Sequence, residues 1–143
     1  MRGTDEGEPA VTAEPRDDDL GELVAALVAS RPSTLPPENR EKLASFVRGE
    51  HGELLGGIAG HTGYGWLFIA QLWVAESMRG RGFGSSLLRA AENEGRRRGC
   101  RSAWLDTYSF QARPFYEAHG YRVFGELPGF PAGYRKLFLA KAL

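Results

Sequence analysis

The chain has 143 residues, of which 18 are basic and 18 acidic, for a formal net charge of zero, and 42% are hydrophobic, with aromatic residues at 11%. Those figures fit one globular domain. They exclude a disordered chain, which has fewer apolar residues and more net charge, and a membrane span, which needs about 18 or more consecutive apolar residues. Cys100, the single cysteine, forms no internal disulfide, and with His51, His61 and His119 scattered along the chain it offers no metal-ligand spacing. The apolar run at residues 23–28 is short and follows Asp17, Asp18 and Asp19 instead of a basic leader, so a soluble, cytoplasmic protein without a metal is expected. Zero net charge argues against a general nucleic-acid binder, yet it conceals an asymmetry. Residues 1–22 carry two arginines against eight acidic side chains, a net −6, whereas residues 76–101 carry seven arginines against three glutamates, a net +4. A field of the second kind attracts a compact anion, although arginines at the C-terminal end of a helix account for part of it.

In chain order, residues 1–9 are expected to fray and residues 10–143 to form one domain. Residues 10–15 read as a first strand, and Asp19 is placed to cap an apolar helix over residues 20–30. Residues 31–41, rich in proline and polar side chains, read as a loop with one helical turn. Residues 43–48 and 53–62 flank a turn and predict a hairpin, with a second turn from Gly63 to Gly65. Residues 66–74 are apolar apart from Gln71, the pattern of a strand buried on both faces at the sheet centre. Leu87, Leu88, Ala91 and Gly95 then recur at helical spacing over residues 84–98, and Gly99 sits where a left-handed residue ends a helix. Residues 101–107 predict another strand, and residues 111–119 a short helix with Pro114 tolerated in its first turn and Gly120 closing it. Residues 121–127 and 134–141 predict two final strands. The sum is a mixed α/β domain with a right-handed parallel crossover between residues 66 and 107 and antiparallel neighbours on either side.

The strongest chemical signal is Arg79-Gly80-Arg81-Gly82-Phe83-Gly84, directly after the buried strand and directly before the amphipathic helix. Glycines let backbone approach a ligand and turn several N–H groups toward one point, and a helix N-terminus adds partial positive charge, so the segment suits a pyrophosphate. A dinucleotide fingerprint needs glycine where Ser85 stands, and a P-loop needs a Gly-Lys-Ser/Thr run that is absent.

Arg79-x-x-Gly82-x-Gly84 resembles the R/Q-x-x-G-x-G/A acetyl-CoA signature of the GNAT acetyltransferase superfamily, with Leu72-Trp73-Val74 before it and Leu87-Leu88 after it. Phe115-Tyr116-Glu117-Ala118-His119-Gly120-Tyr121 resembles the F-Y-x-x-x-G-F/Y segment of the same superfamily. The resemblance covers residues 53–143. It implies an acyl-CoA N-acyltransferase fold: a mixed central sheet of about seven strands with about four helices. The fourth strand, ending at Val74, and the fifth, residues 101–107, splay apart to leave a cleft for acetyl-CoA. In such a fold the pantetheine arm pairs with the backbone of Leu72, Trp73 and Val74, and Arg79, Gly80, Arg81, Gly82, Phe83, Gly84 and Ser85 surround the pyrophosphate. Ser109, Ala112 and Phe115 complete the cofactor contacts. Two departures stand out. Residues 66–74 hold no carboxylate, where relatives often place a general base, and Ser109 stands where many relatives carry asparagine.

The implied reaction moves an acetyl group from acetyl-CoA to an amine by direct attack, through a tetrahedral intermediate and without a covalent enzyme adduct. Tyr116 is the implied general acid for the departing thiolate, since a phenol with a pKa of about 10 stays protonated at neutral pH; packing beside Phe115 is its other reading, and Tyr108 is a substitute. Asp106 leads the candidate bases, ahead of Glu76, His119 and a water oriented by Gln71, because a carboxylate within Trp104-Leu105-Asp106-Thr107 needs a reason to be there. Cys100 has no paired His and Asp nearby in sequence and is assigned to packing. The acceptor is expected to be an amine of a small molecule or peptide, met by residues 30–42 and 127–134. Phe130, Pro131 and Tyr134 with Tyr64 and Trp66 offer walls for an aromatic pocket, and Glu38, Glu41 or Glu126 attraction for a cation. The same residues read equally as a homodimer surface. No nucleic-acid or membrane partner is expected. A non-catalytic acyl-CoA-binding or regulatory protein on this fold is the alternative function.

Overall fold

A computed structural model describes residues 7–143, so residues 1–6 of the segment expected to fray lie outside the described residues. The described residues divide into two compact units, one ending at Pro36 and one spanning residues 37–143. Among the described residues, no helix is long and apolar enough to cross a membrane.

The first unit holds helix α1 (Asp17–Ala29). It starts before the expected cap at Asp19, because Asp17, Asp18 and Asp19 together occupy the first turn, where negative charge meets the positive helix end. The strand expected at residues 10–15 is not formed. That short segment lies between Pro9 and Pro15, its side chains are all exposed, and no neighbouring strand satisfies its backbone. The helical turn expected within residues 31–41 is only a bend closed by Leu35 N–H donating to the Pro32 carbonyl (3.1 Å). Among the described residues, these two differences leave six strands and three α-helices instead of seven and four.

The second unit is a six-stranded sheet in the order β1-β2-β3-β4-β6-β5. Its strands are β1 (Glu41–Arg48), β2 (Leu54–Gly63), β3 (Trp66–Val74), β4 (Ser102–Tyr108), β5 (Arg122–Pro128) and β6 (Arg135–Ala142). Helix α2 (Phe83–Arg97) connects β3 to β4, and α3 (Arg113–Ala118) connects β4 to β5. β3 and β4 are parallel and the other pairs antiparallel, as the crossover and hairpin patterns predict. The tight turn between β2 and β3 places Tyr64 and Gly65 at φ 50° and 74°, the left-handed geometry that matches strand twist in two-residue hairpins.

One face of the sheet carries the core: Leu87, Leu88 and Ala91 of α2 and Tyr116 of α3 pack with Ile58, Leu67, Ile69, Leu105, Leu137 and Leu139. β3 is therefore buried on one face and not on both, with Trp66 and Trp73 exposed. Its apolar run reflects a half-buried strand whose second face is also aromatic. On the inner face of α2, Glu92 is buried (2% exposed); it accepts hydrogen bonds from the Tyr121 hydroxyl (2.8 Å) and from Lys141 Nζ (2.9 and 3.0 Å).

The feature that positions the site is a short parallel ladder. β3 and β4 pair only from Trp66 opposite Ser102 to Ile69 opposite Leu105, and beyond that point they diverge. At the same level β2 and β3 shift register: Ala59 pairs with Gln71 and Gly60 with Ile69, so Ala70 is an extra residue. A bulge of this kind increases local twist and re-aims the strand. It requires a residue without a side chain opposite, since a Cβ on Gly60 would overlap the Phe68 carbonyl oxygen. Gly60→Ala is expected to cost about 1–3 kcal/mol of stability in urea denaturation, the range for overpacking; an unchanged midpoint would show that the bulge does not depend on this glycine.

Candidate active site

Where β3 and β4 part, the structure opens a cleft of about 740 Å³. Leu72, Trp73 and Val74 form one wall, Met78, Arg79, Gly80 and residues 82–85 the floor, and Thr107, Phe110, Gln111, Ala112, Phe115 and Tyr116 the other wall. On that side residues 70–74 have lost the strand partner that Trp66–Ile69 have in β4, which leaves backbone N–H and C=O groups to be satisfied by a ligand carrying amides.

After Val74 a short 3₁₀ turn (Glu76–Met78) leads into the glycine segment. Arg79 Nε donates to the Val74 carbonyl (3.1 Å), fixing the loop to the end of β3, and Gly80 and Gly82 adopt φ 76° and 81°. Gly82 is also the N-cap of α2 and supplies no side-chain cap. The first bond into the helix runs from Ser86 N–H to the Gly82 carbonyl (3.0 Å), so the amides of Phe83, Gly84 and Ser85 lack helical acceptors. Three unsatisfied donors at the positive end of a helix, beside an arginine, form an anion seat next to a free strand edge. A pyrophosphate joined to a pantetheine thioester fits this combination. Gly84 serves packing instead: a Cβ there would lie 3.4 Å from the Phe115 ring.

At Gly82 a side chain has open space around it, so a substitution acts through the left-handed backbone alone. Gly82→Val is expected to draw the loop out of that geometry and weaken acetyl-CoA binding by roughly tenfold or more, given about 1–2 kcal/mol of strain. Calorimetric titration checks this, and an unaltered affinity would remove the glycine loop from the binding account.

Tyr116 is only 8% exposed, yet it reaches the cleft lining, and its hydroxyl makes no hydrogen bond among the described residues. Burial raises its pKa above that of an ordinary phenol, so the group stays protonated. Its ring is held edge-on against Phe115 and Tyr121. Ser85 Oγ lies 2.9 Å from His119 Nε2, joining the start of α2 to the end of α3.

The sequence-derived candidates separate in space. Leu72, Trp73, Val74, Arg79, Gly80, Gly82, Phe83, Gly84, Ser85, Ala112, Phe115 and Tyr116 line one cleft. Arg81, Asp106 and Ser109 are not in its lining: Arg81 Nη1 lies 3.9 Å from Met78 Sδ, Asp106 Oδ1 lies 3.5 Å from Lys136 Nζ, and the Ser109 hydroxyl accepts from Arg135 N–H (2.9 Å). Tyr64 and Trp66 do not join Phe130 and Tyr134 in one pocket. Trp66 pairs with the first residue of β4, whereas Phe130 stacks on Tyr108 at its last. The glutamates expected to attract an amine already have cations beside them: Glu38 pairs with Arg40, Glu41 with Arg98 and Glu126 with Arg135. The arginine run is likewise engaged. Arg97 and Arg98 hold the Glu94 carboxyl down at about 2, and Arg98 also donates to the Glu41 and Lys42 carbonyls, tying α2 to β1. Burial pushes the Cys100 thiol up, in keeping with packing.

Sequence reasoning missed Met78, Thr107, Phe110 and Gln111. Thr107 Oγ1 donates to Gln111 Oε1 (3.2 Å), and Tyr108 N–H donates to the same oxygen (3.4 Å). Thr107 carries a readable signal: alternation from Ala103 and Leu105 puts its hydroxyl on the core face, where a polar group needs a partner.

Comparison with known proteins agrees with this geometry. The profile of the acetyltransferase (GNAT) family matches residues 13–121. The chain is 40% identical over 104 residues to blasticidin-S acetyltransferase of Streptomyces morookaense, covering 72% of this chain and 76% of that protein. It is 36% identical over 115 residues to an acetyltransferase of Agrobacterium fabrum, covering 80% and 84%. The crystal structure of an acetyltransferase from Bacillus cereus superposes with a TM-score of 0.79 at 31% identity, covering 94% of this chain and 98% of that one.

Proposed function

For a chain that belongs to the GNAT acetyltransferase family and is an acetyl-CoA-dependent N-acetyltransferase, we propose that the cleft between β3 and β4 binds acetyl-CoA and that the acceptor is an amine of a small molecule. The observation that carries this reading is the uncapped start of α2 beside the unpaired end of β3, with the free Tyr116 hydroxyl in the same cleft. The amides of Phe83, Gly84 and Ser85, with Arg79, hold the pyrophosphate, and the backbone of Leu72, Trp73 and Val74 orients the pantetheine arm and donates to the oxyanion of the attacked carbonyl. Tyr116 gives its proton to the departing thiolate. The name of the Streptomyces relative, with an acceptor that is a single compound, supports a small molecule over a protein.

A primary ammonium with a pKa of about 10.4 must lose its proton before it can attack. Asp106 is the acceptor-side carboxylate for that proton. It shares the face of β4 with Tyr108, opposite Thr107, and Lys136 keeps it in place. Asp106→Asn is expected to reduce kcat/KM for the amine most strongly on the acid side of the profile, with acetyl-CoA affinity retained; an unchanged profile would assign the proton to water alone.

The reading is tested by thiol release from acetyl-CoA across a panel of small amines and lysine peptides. Amine-dependent release with the small molecules is expected. Release only with peptides would overturn the small-molecule acceptor, and no release despite acetyl-CoA binding would overturn the assignment of this cleft to catalysis.

A further inference from the structure

Past the open end of β4, four aromatic side chains from two separate segments come together. Tyr108 stacks on Phe110 (centroids 5.0 Å apart, planes at 12°) and on Phe130 (6.0 Å, 26°), and Phe110 meets Tyr134 edge-on (5.1 Å, 82°). The rings flank a hollow of about 590 Å³ lined by Tyr108, Phe110, Gly129, Phe130 and Pro131. Phe110 lines both this hollow and the cleft between β3 and β4, so the two adjoin at its ring.

The cluster is held from the backbone and left open on its ring faces. Phe130 N–H donates to the Tyr134 carbonyl (3.1 Å) and Tyr134 N–H to the Pro131 carbonyl (2.8 Å), closing the loop between β5 and β6. Ser109 N–H donates to the Arg135 carbonyl (2.8 Å) and the Ser109 hydroxyl accepts from Arg135 N–H, fixing Phe110 beside that loop. Nevertheless Phe110, Phe130 and Tyr134 remain 56%, 42% and 48% exposed. Rings already stacked on one another, with their outer faces open to solvent, offer a shelf on which another flat ring can pack.

Charge narrows the occupant further. Lys136 Nζ lies 5.0 Å from the centre of the Phe130 ring and 5.9 Å from that of Tyr108, and its carboxylate neighbour is Asp106 at 3.5 Å. The cation seat of these rings is therefore already taken, and a permanently charged head group against the same rings would meet like charge.

We propose that this shelf is the acceptor subsite and that it selects amines borne on a flat, uncharged conjugated ring, the ring packing on the open faces of Phe110 and Phe130 while the amine extends past Phe110 to the thioester. The proposal rests on the catalytic reading above and names the substrate class for it.

The test compares phenethylamine, cyclohexylethylamine and aminoethyl-trimethylammonium as acceptors at saturating acetyl-CoA. The three present a primary amine on the same two-carbon tether to a flat ring, a saturated ring and a cation. The expected kcat/KM order places phenethylamine ahead of both others by at least about tenfold. In Phe130→Leu, which keeps apolar volume without a ring face, the preference over cyclohexylethylamine is expected to fall to within about twofold, whereas Phe130→Tyr is expected to keep it. Acetyl-CoA affinity, measured by calorimetry, is expected to be the same in both variants and reports that they are folded. Equal rates for flat and saturated rings, a preference for the quaternary ammonium, or a preference that survives in Phe130→Leu would each overturn the shelf while leaving the catalytic reading intact. Failure of every amine to release thiol, with acetyl-CoA still bound, would overturn both.

Discussion

Tyr116→Phe is expected to lower kcat about a hundredfold or more, the usual worth of a positioned general acid, while acetyl-CoA affinity changes by less than about twofold. The substitution keeps the ring that packs edge-on against Phe115 and Tyr121 and removes only the hydroxyl, which has no hydrogen-bond partner among the described residues. No buried polar atom is orphaned, so stability is not expected to fall. Burial raises the Tyr116 pKa, and the proton is therefore retained throughout the neutral range and lost only above about pH 10. In the wild-type enzyme kcat should decline on that alkaline side, and in Tyr116→Phe this limb should disappear. Rapid-quench or steady-state thiol release over pH checks both. A kcat within about twofold of wild type would reduce Tyr116 to a packing residue and move the proton to solvent.

The largest effect on stability is expected at Glu92. This carboxylate is buried on the inner face of α2 and compensated by Lys141 Nζ and the Tyr121 hydroxyl, so Lys141→Met leaves a buried charge with one neutral donor. Removing one partner of such a pair typically costs about 3–5 kcal/mol, a large fraction of the roughly 5–15 kcal/mol of a whole domain. Urea denaturation should show that loss for Lys141→Met, and the double variant Glu92→Leu with Lys141→Met should recover part of it, because the buried charge is gone and only the neutral Tyr121 hydroxyl is left without its acceptor. If the single and double variants lose the same amount, packing and not charge pairing determines the cost. The network also makes stability depend on pH. Burial, and then the bond to Glu92, raise the Tyr121 phenol far above its ordinary value. The folded state then holds a proton that the unfolded chain releases near pH 10, so this contribution is complete below about pH 10 and falls as the pH rises beyond it.

The local order of the second unit was readable from residue patterns, because the signals are themselves local. Alternation over residues 43–48, helical spacing from Leu87 to Gly95, and glycines at Gly65, Gly99 and Gly120, which all adopt positive φ, act within a few residues of where they are read. Element ends at β1, α2, β5 and β6 fall within two residues of expectation. The glycine loop was equally accessible: it follows a strand, precedes a helix, and needs nothing distant to present its amides. The strand expected at residues 10–15 failed for the complementary reason, since a strand exists only with a neighbour.

Residue types and spacing by themselves determined that this chain mixes strand hairpins with helices, places a glycine segment between β3 and α2, and presents unsatisfied amides at the start of α2. Only the tertiary structure decided how far β3 and β4 stay paired, that Gly60 makes room for the bulge at Ala70, that Asp106 meets Lys136, and that Tyr108 and Phe110 stack with Phe130 and Tyr134. Each of these depends on strand register between segments distant in sequence. A one-residue slip there would reverse every side chain's face while leaving the local pattern unchanged.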